Sequence, residues 1–176
     1  MIETERLILR PIYNEDYEDI CEYGCDEETG KYMIYWPKTK QQIEEFINNC
    51  IFSMNVDNPD WFEYVIQLKE NKKIIGNISL IIKEQETEIG WISNKKYWNN
   101  GYMSEAIMVI IKYAFNNLGI HRITATCSEN NIASYKVMEK CKMKRIQIEK
   151  SITSIRQGIE VTYNKLTYCI EREENE

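Results

Sequence analysis

The most constraining stretch of the sequence is Tyr97 to Gly119, YWNNGYMSEAIMVIIKYAFNNLG, in which a glycine-containing loop precedes a strongly apolar segment. Apolar residues recur there at three- and four-residue spacing and cover one broad face, which predicts a buried helix from about Ser104 to Leu118. Gly101 and Ser104 can be ordinary turn and helix-start residues. Alternatively, the loop and the helix N-terminus form an anion site, because unpaired N–H groups and the positive end of the helix dipole converge there. The stretch alone leaves both interpretations open.

The N-terminal half predicts one strand, two helices and then a run of strands. Alternation in RLILR predicts a first strand that ends at Pro11, and helical spacing predicts helices after Asn14 and from about Lys40. From Trp61 the period changes to two. This change predicts a hairpin of WFEYVIQLK with IIGNISLIIK, followed by the strand TEIGWIS.

After the apolar helix, the C-terminal half predicts the strand HRITATCS, a helix from about Asn131, and two strands near 144–150 and 159–169. This order of elements predicts an α+β (mixed α/β) fold, with one central sheet and about four helices in a single domain over residues 1–176. The tail, residues 171–176, is expected to fray.

Composition excludes several classes of function. A net charge of -6 argues against nucleic acid as the partner, because phosphate binding requires a basic surface. The six cysteines include no CxxC pair and the chain has one histidine, so we expect no metal site. No apolar run is long enough to span a bilayer, and a cytoplasmic protein without a membrane partner is expected. The composition leaves a monomer and a homodimer open.

Five segments carry a family resemblance: TERLILRP, EIGW, WNNGYMSEA, LGIHRI and NIASYKVMEK. Their order and spacing resemble those of the GNAT acetyltransferases, particularly the RimJ/RimL branch that includes ribosomal-protein N-terminal acetyltransferases. The resemblance implies an acetyl-CoA-dependent N-acetyltransferase acting on a primary amine, which can be a protein N-terminus, a polyamine or a small molecule. It also implies a twisted mixed sheet in which two adjacent parallel strands, EIGWIS and RITATCS, splay apart to admit the cofactor.

The same resemblance implies the residues that bind acetyl-CoA. The backbone of the first splayed strand is expected to pair with the pantetheine amides, through Trp91, Ile92 and Ser93. Main-chain N–H groups of the loop are expected to hold the pyrophosphate, at Trp98, Asn99, Asn100, Gly101, Tyr102, Met103 and Ser104. Packing of the Trp98 ring beside the loop is favoured over direct contact with the ligand. Asn131 matches an asparagine that contacts the pantetheine arm, and it is also a natural helix N-cap.

The expected catalytic residues are Ser134 and Glu88. Many GNAT enzymes protonate the departing thiolate with a tyrosine, but that position is Met138 here, and methionine cannot donate a proton. The resemblance implies another candidate, because Ser134 matches a position where RimL-like enzymes place a serine near the CoA sulfur. We favour Ser134 or a water molecule as the acid; Tyr135, or no acid at all, is the alternative. Glu88 is the carboxylate best placed to act as a base through water, although it can equally pair across the hairpin.

The acceptor site of GNAT enzymes usually forms in the first helix and loop region. Tyr32, Tyr35 and Trp36 are the candidate walls of this site, with packing in the core as the alternative. An acidic cluster at 26–28 can attract a cationic amine or can simply be solvated. A CoA-binding sensor or scaffold of the same fold, with little catalysis, is the alternative function.

Overall fold

The computed structural model describes residues 1–33, 35–36, 38–83, 86–156 and 158–172 of the chain. The described residues form one sheet of eight strands: β1 (Ile2–Glu3), β2 (Leu7–Pro11), β3 (Trp61–Leu68), β4 (Ile74–Ile82), β5 (Thr87–Ser93), β6 (Arg122–Ser128), β7 (Lys144–Arg156) and β8 (Ile159–Glu171). They also form five helices: α1 (Tyr17–Gly24), α2 (Glu27–Gly30), α3 (Lys40–Met54), α4 (Tyr102–Asn117) and α5 (Ile132–Lys140). Short 3-10 turns cover Asn14–Asp16 and Lys95–Tyr97.

The strand order in space is β1-β2-β3-β4-β5-β6-β8-β7. Only β5 and β6 pair in parallel within this described sheet; the other neighbours are antiparallel. The predicted mixed sheet is therefore confirmed, including the parallel arrangement of EIGWIS and RITATCS.

Two apolar cores cover the two faces of the sheet. One face packs against α4, whose buried apolar residues are Ala106, Ile107, Ile110, Ile111 and Ala114. The other face packs against α1 and α3, which contribute Ile20, Ile43, Ile47 and Cys50. The broad apolar face read from the sequence of α4 is the face that is buried, as the period of 3.6 residues predicts.

Three element boundaries differ from the sequence prediction. The helix α2 is one turn long and was not predicted, because four residues are too few to show a helical period; the Asp26 side chain caps it by accepting from the N–H of Thr29 at 2.9 Å. The strand β7 continues past Lys150 to Arg156. The strand β8 includes Glu171, which pairs with Arg122, so the prediction that fraying begins at residue 171 is wrong; residues 173–176 of the predicted tail lie outside the described residues.

A residue in the left-handed conformation follows the end of α5. Lys142 comes directly after the C-cap residue Cys141, and its φ is 63°. Helices commonly end in this conformation, and glycine adopts it without the steric cost that a side chain brings, roughly 1 kcal/mol. Lys142 therefore ends this helix at a cost in strain.

Candidate active site

A cleft opens between β5 and β6 because the two strands diverge. Among the described residues their register is limited to Thr87 with Ile123 and Glu88 with Thr124, at the beginning of both strands. Beyond those pairs, β5 is hydrogen-bonded to β4 on one side only. The backbone N–H and C=O groups that face β6 are left for another partner, and an extended chain can pair with them as a strand would.

The residues predicted to bind pantetheine lie in the open part of β5. Trp91, Ile92 and Ser93 pair with β4 and have no register partner on β6 among the described residues. The side chain of Ile92 is buried against α1 and α3, and that of Trp91 packs on the face that carries α4. The two side chains therefore pack in the two apolar cores, and the backbone of the same residues borders the cleft.

The loop between β5 and α4 is held to the end of β5. The indole N–H of Trp98 donates to the Ser93 carbonyl at 2.9 Å and lies 3.0 Å from its hydroxyl. Asn100 folds back on the loop, since its side-chain amide donates to the carbonyls of Tyr97 and Trp98. Gly101 then adopts a φ of 79° and forms the N-cap of α4. The helix N-terminus, including Tyr102 to Ser104, consequently begins beside the mouth of the cleft.

Two cations flank this helix N-terminus. A Cβ placed on Gly101 would lie 3.6 Å from Lys140 Nζ and 3.7 Å from an Arg6 guanidinium nitrogen. Arg6 is fixed by donation to the Asn100 carbonyl at 3.1 Å and by an ion pair with Glu105. Lys140 has no ion pair with any residue that the structure describes. The loop therefore combines helix dipole, free N–H groups and positive charge, which is the chemistry that binds phosphate.

Neither cation was predicted from the sequence as a site residue. Arg6 and Lys140 occur within TERLILRP and NIASYKVMEK, so their motifs were recognised, but 133 intervening residues separate them. Only the sheet order brings both to one loop. Glu105 in the first turn of α4 shares this arrangement: burial raises its pKa, but hydrogen bonds from Thr4 and Arg6 outweigh that effect and lower it overall.

The N-terminus of α5 approaches the β6 side of the cleft. Asn131 caps the helix, because its side-chain oxygen accepts from the N–H of Ser134 at 3.2 Å. Ser134 is half-buried. Burial raises the pKa of the Cys127 thiol of β6 to about 11, and the Ser134 side chain opposes part of the rise. Met138, at the position where the resemblance implies a tyrosine, is fully buried in the apolar core.

Glu88 lies away from the open part of the cleft. It occupies the section of β5 that still pairs with β6, and its carboxylate is 3.1 Å from Lys83 Nζ across the β4–β5 turn. This geometry corresponds to the alternative reading, a pair across the hairpin. Any catalytic role for Glu88 requires water molecules that extend along β5.

Comparison with known proteins establishes the family. The family model of the acetyltransferase (GNAT) domain matches residues 6–144. The chain belongs to the GNAT acetyltransferases. It is 36% identical over 146 residues to the uncharacterized N-acetyltransferase YnaD of Bacillus subtilis (strain 168), covering 82% of each chain.

Solved structures agree with this assignment. A GNAT-family acetyltransferase from Bacillus anthracis superimposes with a TM-score of 0.84 at 31% identity, over 97% of both chains. The microcin C7 self-immunity acetyltransferase MccE, solved in complex with acetyl-CoA and AMP, superimposes with a TM-score of 0.82 at 19% identity, over 96% of this chain and 94% of MccE. The first likeness includes sequence, whereas the second shows the fold alone.

The aromatic residues predicted for the acceptor site of this GNAT enzyme divide into two groups. Trp36 is 7% exposed and packs edge-on against Phe46 at 5.3 Å, so it belongs to the core, as the alternative interpretation held. Tyr35 is 78% exposed, and Tyr32 is half-buried beneath the ammonium group of Lys31. Only the two tyrosines are accessible as walls of an acceptor site.

An acidic depression of about 670 Å³ lies beside α2, lined by Cys25, Asp26, Glu27, Glu28, Lys31 and Lys95. Lys95 follows the end of β5 and pairs with Asp26 at 2.8 Å and with Glu28 at 3.2 Å. The hydrogen bond from Lys95 and then the one from the Thr29 N–H lower the pKa of Asp26. The lining carries three carboxylates, on Asp26, Glu27 and Glu28, against two lysines, so the depression has an excess of negative charge.

A buried carboxylate on β3 was missed by the sequence reasoning. Glu63 is fully buried and accepts hydrogen bonds from Trp61 Nε1 at 3.0 Å, from Asn77 and from Ser79. Tyr23 completes the network by donating to the Asn77 side chain at 2.8 Å. The signal was the one charged residue within WFEYVIQL, an otherwise uncharged strand. Burial raises the pKa of Glu63, and its three hydrogen bonds oppose the rise.

Neither a metal centre nor a transmembrane helix is found in the part of the chain that the structure describes. No group of three or more His, Cys, Asp or Glu side chains there is arranged to hold a metal ion. No described helix is long and apolar enough to cross a membrane.

Proposed function

We propose that this GNAT acetyltransferase binds acetyl-CoA between β5 and β6 and transfers the acetyl group to a primary amine, as one domain over residues 1–176. The order of its motifs favours the RimJ/RimL-like branch. The observation that carries the proposal is the convergence of Gly101, Lys140 and Arg6 at the N-terminus of α4, next to two diverging parallel strands. MccE, which has the same fold, was solved with acetyl-CoA.

In the proposed complex the cofactor lies along the open backbone of β5. Trp91, Ile92 and Ser93 pair with the pantetheine amides, and Asn131 contacts the arm from the side of α5. The pyrophosphate is held by main-chain N–H groups of residues 98–104, with Lys140 as an additional ligand that is free of other ion pairs among the described residues.

The reaction proceeds by direct attack in a ternary complex. The neutral amine forms a bond to the thioester carbonyl carbon, and a backbone N–H near Ile92 stabilises the resulting oxyanion. Collapse of this intermediate breaks the carbon–sulfur bond, and the CoA thiolate takes a proton from Ser134 or a water molecule. Before the attack, the ammonium form of the acceptor loses one proton to water, with Glu88 as a distant acceptor. An α-amino group with a pKa of about 7.7–8.0 loses this proton readily, whereas a lysine-like amine at about 10.4 does not. A second proton leaves the nitrogen of the intermediate and replaces the one that Ser134 or the water molecule gives to the thiolate.

The class of amine that is accepted is inferred from the charge beside α2 and from the aromatic rings that solvent can reach, and not from the residues of the cleft. The acidic depression at α2 and the accessible rings of Tyr32 and Tyr35 favour an amine that carries positive charge before it reacts. A protein N-terminus, a polyamine and a small-molecule amine all satisfy this requirement.

The proposal is tested first by binding and then by turnover. Acetyl-CoA at saturating concentration should raise the melting temperature of the protein, because a ligand that binds only the folded state stabilises it. Release of free CoA thiol is then measured with a peptide N-terminal amine, spermidine and a small aromatic amine. Stabilisation without thiol release from any acceptor would favour the sensor over the enzyme, and no stabilisation would contradict the cleft assignment.

Ser134→Ala is expected to lower kcat about 10-fold or more while leaving the affinity for CoA within about 2-fold, since a positioned acid contributes 10²–10⁴-fold and water replaces part of it. Tyr135→Phe tests the alternative acid, because it removes the other hydroxyl from the same helix turn; a kcat lowered in this variant and not in Ser134→Ala would assign the proton to Tyr135. Steady-state thiol release measures kcat, and calorimetric titration measures CoA binding. An unchanged kcat in both variants would assign the proton to water.

A further inference from the structure

Glu63, Ser79 and Gly90 form a row across three neighbouring strands. Glu63 on β3 pairs with Ser79 on β4, and Ser79 pairs with Gly90 on β5. Residues that face each other in this way have their Cβ positions about 5 Å apart on the same side of the sheet. Within the described sheet, Glu88 is the last residue of β5 that pairs with β6, and Gly90 follows it on the same face. The row therefore connects the buried carboxylate of β3 with the beginning of the cleft.

The space above Gly90 is open on the side of the sheet that packs against α1 and α3. Ile89 and Trp91 point to the opposite core, so a side chain at Gly90 would point to this side. Gly90 is exposed, and no atom of the described residues lies within 4 Å of a Cβ placed on it. Ser79, beside this space, is half-buried, whereas Glu63 is fully buried. Ser79 is therefore the member of the row that can contact both a bound molecule and Glu63.

Among the three described partners of Glu63, only the hydroxyl of Ser79 can reverse its hydrogen bond. The carboxylate accepts from Ser79 Oγ at 2.5 Å, from Trp61 Nε1 at 3.0 Å and from the side-chain amide of Asn77. Indole and amide nitrogens only donate, and the Asn77 side-chain oxygen already accepts from Tyr23 at 2.8 Å. A hydroxyl both donates and accepts. Ser79 can therefore pass a proton inward and then accept a hydrogen bond from the protonated carboxyl group.

The charge of Glu63 is stabilised by hydrogen bonds and by no ion pair with a residue that the structure describes. The described titratable groups that face it are Tyr23 from α1 and Cys50 from α3. Burial and then the negative charge of Glu63 raise the pKa of both, so neither ionises near neutral pH. Further charges on the surrounding elements are Asp16 and Asp19 near Tyr23, Lys38 near Cys50, and the pair of Glu88 with Lys83. A buried carboxylate without a cation costs stability, but it keeps the ability to take up a proton.

We propose that Ser79 takes a proton from the ammonium group of the acceptor and passes its own hydroxyl proton to Glu63, so that the site accepts aliphatic amines that are cationic at neutral pH. The inference rests on the proposed acetyl transfer. An N–H bond of the ammonium group breaks as Ser79 Oγ gains that proton, and the Ser79 O–H bond breaks as Glu63 Oε2 gains the other. The neutral amine then attacks the thioester. Ser79 is the catalytic residue, whereas Glu63 positions Ser79, holds the proton and returns it to solvent by the same route.

The pKa of the acceptor determines how much this route contributes. An α-amino group with a pKa of about 7.7–8.0 is neutral in about one molecule in ten at pH 7, so water serves it. An aliphatic amine with a pKa of about 10.4 is neutral in only about one molecule in 2,500. Glu88 is a poorer acceptor for its proton, because the Glu88 carboxylate is 3.1 Å from Lys83 Nζ. The row from Gly90 to Glu63 therefore favours the aliphatic amine.

The pH dependence of CoA thiol release tests the proposal, with spermidine as the acceptor at saturating acetyl-CoA. In the wild type, kcat/KM for spermidine should vary less than about 3-fold between pH 7 and 9, because the bound ammonium form reacts. Ser79→Ala and Glu63→Gln must use amine that is already neutral. Their kcat/KM should be at least about 100-fold lower at pH 7 and should rise nearly 10-fold per pH unit, so that the deficit narrows. With a peptide N-terminal amine, the deficit at pH 7 should be about 10-fold or less.

Two further variants separate proton transfer from damage to the fold. Ser79→Thr keeps the hydroxyl and should keep the shallow pH profile. Tyr23→Phe removes a hydroxyl from the other end of the network, leaves the bond between Ser79 and Glu63 in place, and should behave as the wild type does. A purely structural defect lowers kcat/KM by the same factor at every pH. Thermal melting with and without acetyl-CoA verifies the fold and cofactor binding of each variant.

The possible outcomes distinguish this inference from the proposed function. If Ser79→Ala and Glu63→Gln have pH profiles parallel to that of the wild type, the route through Ser79 is overturned and the acetyl transfer stands. A wild type that is active with the peptide amine and not with spermidine overturns this inference alone. A wild type that releases thiol with neither amine overturns the proposed function and this inference with it.

Discussion

Gly101→Glu is expected to weaken the binding of CoA at least about 100-fold. The new Cβ has room, since its nearest neighbours are Lys140 Nζ at 3.6 Å and an Arg6 guanidinium nitrogen at 3.7 Å. Those neighbours determine the effect: the carboxylate pairs with both cations and presents negative charge to the incoming phosphates. Charge-assisted hydrogen bonds contribute about 1.5–3 kcal/mol each, so losing two of them accounts for the expected change.

Two control variants separate charge from backbone strain. Gly101→Ala adds no charge, and its methyl group fits the space at this position. It places a side chain at a φ of 79°, which costs roughly 1 kcal/mol of strain, so CoA binding should weaken only slightly. Gly119→Glu adds the same charge at a φ of 67° beyond the other end of α4, where nothing lies within 4 Å, and should not affect CoA. Calorimetric titration with CoA measures all three. If Gly101→Glu and Gly119→Glu bind CoA with comparable affinity, the pyrophosphate does not bind at this loop.

The elements that were predicted well from the sequence are those in which apolar residues recur at a regular spacing. TEIGWIS was predicted as a strand and is β5 from Thr87 to Ser93, and the apolar face of α4 is the buried face. The N-cap role of Asn131 follows from the local preference of asparagine for that position. Such features depend on neighbours in the sequence, which are visible before any fold is known.

The features that the sequence did not predict depend on contacts between distant residues. Arg6 and Lys140 meet at one loop only after the sheet has formed. Trp36 and Tyr35 are adjacent in sequence, yet one is buried and the other exposed, and no pattern in so short a segment separates them. The extension of β7 was missed because an edge ribbon has no buried face, and so shows no alternation of apolar and polar residues.

Glu63→Ala is expected to destabilise the fold by about 2–4 kcal/mol, because it creates a cavity and leaves three donors, on Trp61, Asn77 and Ser79, without their acceptor. Urea unfolding at pH 7 measures the free energy. Tyr23→Phe is the milder comparison, since it removes one hydroxyl from the edge of the same network and should cost about 1 kcal/mol. An alanine variant as stable as the wild type would show that the network adds nothing to stability.

Glu63→Gln isolates the charge from the shape. Because burial raises the pKa of Glu63 in the folded protein, the folded state binds a proton more readily than the unfolded chain does. The cost of the buried charge is therefore fully present above the folded pKa, and it falls as the pH decreases toward the ordinary value of 4.5. Glutamine has no such titration. The stability of the wild type relative to Glu63→Gln should therefore rise as the pH is lowered from 8 to 5, and a constant difference would mean that Glu63 has the same pKa in both states.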